Sequence, residues 1–130
     1  AGALARPAGC RGRAEPRVEV GTWADASFLA GDTWDVVLAD LLLGAVEAHA
    51  PFQQWPIFDR LASAVQPGGV LLFVGLEPPT GASASAEAQR LHDAMLLLAG
   101  RRPFREYPEG VVRWAMNHSG LEVVAAARFP

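Results

Sequence analysis

Two short apolar runs, Asp35-Val36-Val37-Leu38-Ala39 and Val70-Leu71-Leu72-Phe73-Val74, constrain the fold of this chain more than any other feature. Both are continuous and rich in β-branched residues, with no polar alternation that would turn one face to water. That is the pattern of strands in a parallel sheet covered by helices on both faces. Between them Phe58, Leu61 and Val65 recur at helical spacing. Pro56 stands where a first-turn proline belongs, and Pro67-Gly68-Gly69 ends the helix, because Gln66 precedes a proline and is pushed out of the α region. A strand, a crossover helix and a second strand follow, with the segment Ile57 to Val65 laid over two parallel neighbours.

The residues WDVV, then FDRLASAV, then QPGGVLLFVG resemble the second half of class I S-adenosylmethionine-dependent methyltransferases. There a strand of "FD-V" type is followed by a helix and a proline-diglycine turn into the next strand. The resemblance covers about Val18 to Phe129 and is carried by Trp34 to Gly75. The later stretch REYPEGVVRWAMNHSGLEVV is similar to the helix and strand that follow in plant and algal members of that group. The fold it implies is α/β, a partial doubly wound Rossmann-like sheet, mostly parallel, lacking the N-terminal strands with the glycine-rich motif. The activity it implies is methyl transfer from S-adenosylmethionine to an unknown acceptor by a longer parent protein, the 130 residues themselves being inactive.

The resemblance also implies site residues. Arg17 to Gly21 alternates as a strand does, and in the family the turn after this strand delivers an acid to the cofactor's adenine. Aligning Gly21-Thr22-Trp23 with that turn puts Thr22 where the acid belongs. Sliding by three residues puts Asp25 there and gives up the glycine. The residues alone read Asp25 equally well as the cap of a short helix starting at Ala26. Asp40, at the carboxyl end of the first strand, stands where ligands collect in open α/β sheets. With Leu41 and Gly44 it is the candidate rim of the methyl and acceptor site, and a turn-capping role is the alternative for Asp40. The cofactor-binding set is therefore Thr22, Trp23, Asp25, Asp40 and Leu41. No catalytic residue is assigned, because transfer from a sulfonium needs positioning and exclusion of water more than a reactive side chain. The glycine-rich cradle of the family is absent from the sequence: Gly9-Cys10-Arg11-Gly12 follows no apolar run.

Other segments carry lesser signals. His49, Pro51, Phe52 and Trp55 fall in the connection and either roof a pocket or simply pack. Glu77, in a proline-rich loop leaving the second strand, reads as a solvated carboxylate or a substrate contact. Ala84 to Ala99 is a helix stopped by Gly100, with Ala88, Leu91, Met95 and Leu98 on one side. His92 and Asp93 read as surface groups. Arg101, Arg102 and Arg105 bring three positive charges together, to meet an anionic acceptor or as ordinary surface arginines. Tyr107-Pro108-Glu109 opens another helix that Gly120 closes, and Leu121 to Ala127 reads as a last strand.

Composition closes several classes. The net charge of −3 supplies no field for nucleic acid, and the apolar runs are too short to cross a bilayer. One cysteine, Cys10, excludes an internal disulfide and argues against a cysteine-based metal site, so no metal is expected and a cytoplasmic setting is the default, an organelle the alternative. Residues 1–16, rich in Ala, Gly, Pro and Arg, read as a flexible lead-in to a single partial domain over 17–130. No hydrolase elbow or nucleotide P-loop occurs. The rival functions are a non-catalytic methyltransferase-like scaffold and another Rossmann-like enzyme. Oligomeric state is not encoded in any visible pattern.

Overall fold

The computed structural model describes residues 18–23 and 25–129. The expected lead-in over 1–16, with Cys10, and Arg17 lie outside them. Six elements follow in order: β1 (Trp34–Asp40), α1 (Leu42–His49), α2 (Pro56–Ala64), β2 (Val65–Val74), α3 (Ala84–Leu98) and α4 (Glu109–His118). The described residues are thus mixed α/β, with four helices and a small two-stranded parallel sheet.

β1 and β2 are neighbours and parallel, with Val36 beside Val70, Leu38 beside Leu72 and Asp40 beside Val74. The ladder extends one step further, Leu41 N–H donating to the Val74 carbonyl at 3.0 Å. Pro56 is the first helical residue of α2, which carries Ile57, Phe58 and Leu61 into the core. Val65 corrects the expected helix end: its backbone is extended (φ −89°, ψ 126°), and it opens β2 opposite Trp34 instead of closing α2. Between Val65 and Val70 the strand bulges. Gly68 takes φ 80° there, and a Cβ on Gly69 would lie 2.8 Å from the Asp35 carbonyl oxygen, so only a glycine lets the two backbones approach.

The core lies on one face of this sheet. Leu43 and Val46 of α1, Ile57, Phe58 and Leu61 of α2, Ala115 of α4 and Ala39 of β1 form one buried cluster, with Val37, Leu71 and Phe73 packed against it. The Phe58 and Phe73 rings meet at 5.9 Å. The opposite face corrects the expectation of helices on both sides: Val36 and Leu38 of β1 are 53% and 63% exposed, and Val70, Leu72 and Val74 of β2 about half. Successive strand residues point to opposite faces, so one parity of each strand packs in the core while the other is left about half exposed.

α3 starts at Ser83, whose hydroxyl accepts the Ala86 N–H at 3.2 Å. It ends in a Schellman turn: Gly100 adopts φ 71° and Arg101 N–H reaches back to the Leu96 carbonyl at 2.8 Å. Its apolar side is not covered. Leu91, Met95 and Leu98 are exposed, and Ala86 is the buried residue of the helix. α4 closes the same way at Gly120, with Leu121 N–H on the Met116 carbonyl at 3.0 Å.

Two expected strands are not formed. Val18 to Gly21 and Leu121 to Ala127 are irregular, with Val18, Val20 and Val124 strongly exposed. A strand exists only where its backbone groups find a ladder. β1 and β2 pair with each other, and among the described residues no third strand is hydrogen-bonded to either.

Candidate functional site

The carboxyl edge of the sheet is built from the ends of β1 and β2 and the first turn of α1. After Asp40 the chain turns sharply: Leu41 takes the left-handed conformation (φ 49°, ψ 29°), unusual for a branched side chain, and α1 begins without a side-chain cap. The capping role open to Asp40 is therefore not realised. Gly44, in the first turn of α1, gives its N–H to Glu106 Oε1 at 3.0 Å, from a segment 62 residues away. The same carboxylate also accepts the Leu76 N–H just past β2. Glu106 thus ties the ends of both strands together. Burial raises its pKa above the ordinary value of 4.5, and the two backbone donors offset part of that. A Cβ on Gly44 would come within 2.5 Å of Glu106 Oε1, so the glycine makes room for the carboxylate.

Beside Glu106, Tyr107 turns inward. Its hydroxyl donates to Glu47 Oε2 at 3.1 Å and receives Gln54 Nε2–H at 3.3 Å. Burial first, and then the Glu47 carboxylate, push the phenol pKa up and keep it protonated. Gln54 is 8% exposed, and its Oε1 has no partner among the described residues. Trp55 packs on Tyr107 at 5.2 Å and faces Trp114 at 6.3 Å, while His49 meets Phe104 at 5.5 Å. The suggested roof of His49, Pro51, Phe52 and Trp55 is thus divided: Trp55 and His49 pack against the segment leading into α4, and Phe52 is 78% exposed.

A groove of about 680 Å³ is lined by residues of β1, α2 and the segment before β1. Trp23, Phe28, Leu38, Asp40, Asp59 and Arg60 are among its lining residues. Trp23, Ala26 and Phe28 to Asp32 line its other side, and Arg60 holds Trp23 and Phe28 to α2. The guanidinium donates to the Trp23 carbonyl at 2.5 Å and the Phe28 carbonyl at 2.7 Å, and lies 5.0 Å over the Trp23 ring. Trp23 and Phe28 meet edge to face at 5.6 Å. A Cβ on Gly21 would strike the Phe28 ring at 2.2 Å, which explains a glycine before Thr22.

Of the five cofactor candidates, Trp23 and Asp40 line this groove together, while Thr22, Asp25 and Leu41 do not. Asp25 caps a turn, taking the Ser27 hydroxyl at 2.7 Å and the Ser27 N–H at 2.8 Å; these bonds, the hydroxyl first, lower its pKa. Glu77 proves to be a cap as well, accepting the Glu109 N–H at the start of α4 at 3.1 Å. Glu106, Tyr107, Glu47 and Gln54 were not singled out by sequence. Their one signal was an acid and an aromatic standing before a helix-starting proline.

Among the described residues no group of His, Cys, Asp and Glu could hold a metal ion, and no helix is long and apolar enough to cross a membrane. No protein-family model, curated protein or solved structure matches the chain.

Proposed function

We propose that this chain is part of a Rossmann-like unit that binds S-adenosylmethionine, and that its parent protein transfers the methyl group to an acceptor of unassigned identity. The observation that carries this reading is the groove along β1, where Trp23 and Asp40 share one wall-to-wall space of about 680 Å³. Parallel strands collect ligands at their carboxyl ends, and Asp40 is the last residue of β1.

The residues present fit one part of the cofactor. The Trp23 indole, with the Arg60 guanidinium 5.0 Å over its ring, is a groove-lining aromatic of the kind that stacks on adenine, and the Asp40 carboxylate is an acceptor for hydroxyl or ammonium donors. Bound there, the cofactor supplies a methyl group on a positively charged sulfur, and the acidic residues Asp40 and Asp59 in the lining suit that charge. What the chain does is hold and orient. The loop fixed by Arg60 positions the ring, and the apolar residues Phe28, Leu29 and Leu38 limit access of water.

Isothermal titration with S-adenosylhomocysteine tests the reading. Micromolar binding that is weakened by Trp23→Ala and by Asp40→Asn supports it. A folded chain that gives no heat with this ligand refutes cofactor binding and leaves a non-catalytic methyltransferase-like module.

A further inference from the structure

The segment between α3 and α4 brings Arg101, Arg102 and Arg105 to one cavity of about 380 Å³, whose lining also includes Glu47, Leu97 and Pro103. The other described arginines are engaged: Arg60 with two carbonyls, Arg90 with the Gly81 carbonyl, and Arg113 and Arg128 with Glu109. Arg101 and Arg102 have no such partner among the described residues, and Arg105 Nε only approaches Asp93 Oδ2, at 4.0 Å. The one acid in the lining, Glu47, takes the Tyr107 hydroxyl and lies within salt-bridge distance of none of the three.

The segment that carries the cluster is anchored most firmly on its downstream side. Upstream, the Gly100 turn joins Arg101 N–H to the Leu96 carbonyl at the end of α3. Midway, Pro103 is buried and has no freedom in φ. Downstream, Glu106 is bonded to Gly44 and Tyr107 to Glu47. The negative end of the α3 dipole attracts a cation in its last turn, and that accounts for Arg101. It does not account for Arg102 and Arg105 lining the same cavity as Arg101, where three like charges on one short segment repel each other unless an anion lies among them.

We propose that this cavity binds an oxyanion, the phosphate or carboxylate group of a small ligand. Planar guanidinium groups recognise both by paired, charge-assisted hydrogen bonds, and the downstream tethers through Glu106 and Tyr107 reduce the ordering cost of assembling them. The site is independent of the methyl-transfer reading, since it shares no lining residue with the groove beside β1.

The test is a titration of the isotopically labelled chain with inorganic phosphate and with citrate, followed by backbone amide and arginine Nε resonances, with chloride at matched ionic strength as the control. Saturable shifts at Gly100, Arg101, Arg102 and Arg105 are expected, and the stronger of the two probes identifies the source. The doubly substituted Arg101→Gln, Arg102→Gln chain should bind at least about tenfold more weakly, because each lost charge-assisted bond is worth that much or more. Arg113→Gln, on another element, should bind as the parent chain does, and a thermal melt confirms that each variant is folded. Shifts that chloride reproduces, no saturation with either probe, or equal affinity in the doubly substituted chain would each overturn the proposal.

Discussion

Tyr107→Phe isolates the contribution of one buried hydroxyl. The substitution removes the 3.1 Å bond to Glu47 and the 3.3 Å bond from Gln54, and leaves the Gln54 amide with neither end satisfied. Glu47 is half-buried and can turn to water, so its share is about 1 kcal/mol. The newly orphaned donor adds about 1 kcal/mol, giving roughly 2 kcal/mol in all. Gln54→Met behaves differently. It gives up a long hydrogen bond but also removes an oxygen that is already unpaired, so the two effects offset and stability changes by less than about 1 kcal/mol. In the double variant no amide is left to orphan, and only the Glu47 bond is lost. The pair should therefore cost about 1 kcal/mol less than the sum of the singles. Urea unfolding followed by tryptophan fluorescence reads this directly. With a slope near 2 kcal/mol per molar, Tyr107→Phe lowers the midpoint by about 1 M, and the double variant recovers about half of that. Strict additivity, or a Tyr107→Phe midpoint equal to the parent's, would show that the hydroxyl does not bridge these two side chains.

Two further outcomes follow from the same geometry. Glu106 has its folded pKa raised above 4.5, chiefly by burial, so the native state holds its proton more tightly than the unfolded chain. Its contribution to stability is therefore fully present below 4.5 and is lost as pH rises from there through the raised folded value. Glu106→Gln should flatten the fall in stability across that window, and a pH series of melting temperatures that is parallel for the two chains would contradict the assignment. The two faces of the sheet should also respond unequally. Phe58→Ala, at a residue with no exposure, costs about 3–5 kcal/mol through the cavity it opens. Leu72→Ala, half exposed already, costs about 1 kcal/mol or less, and similar denaturant midpoints for the two would mean the Leu72 face is covered.

The parallel pair was legible because both strands are continuous apolar runs bounded by turn residues, and the helix between them because Pro56 and the Pro67-Gly68-Gly69 turn bracket an apolar period. The stops at Gly100 and Gly120 were equally plain, since each occupies a left-handed position that favours glycine. What the runs could not reveal is which parity of each strand is covered. Val36, Leu38, Val70, Leu72 and Val74 look no different in sequence from the residues that face the core. α1 is not announced by the sequence, because Leu42-Leu43-Gly44-Ala45-Val46 is apolar nearly all round and has little helical period. Leu121 to Ala127 has strand composition, but a ladder is a property of two segments, and among the described residues no second one pairs with it. Trp23 and Asp40 were placed at one site by family likeness, and the groove joins them. The bond from Gly44 to Glu106 spans 62 residues, and no local pattern encodes a contact at that range.

The sparse seating of α3 has a consequence for how the molecule moves. Fifteen residues of helix held by Ala86 and by its own hydrogen bonds are near the length at which a free helix in water is only marginally formed. Its amides should therefore trade protons with solvent through fraying, long before the sheet and its packed helices open. Yet the arginines just beyond it are tethered from the other side, through Glu106 and Tyr107. The helix can melt and re-form while the far end of the segment stays docked, much as a rope slackens without moving its mooring.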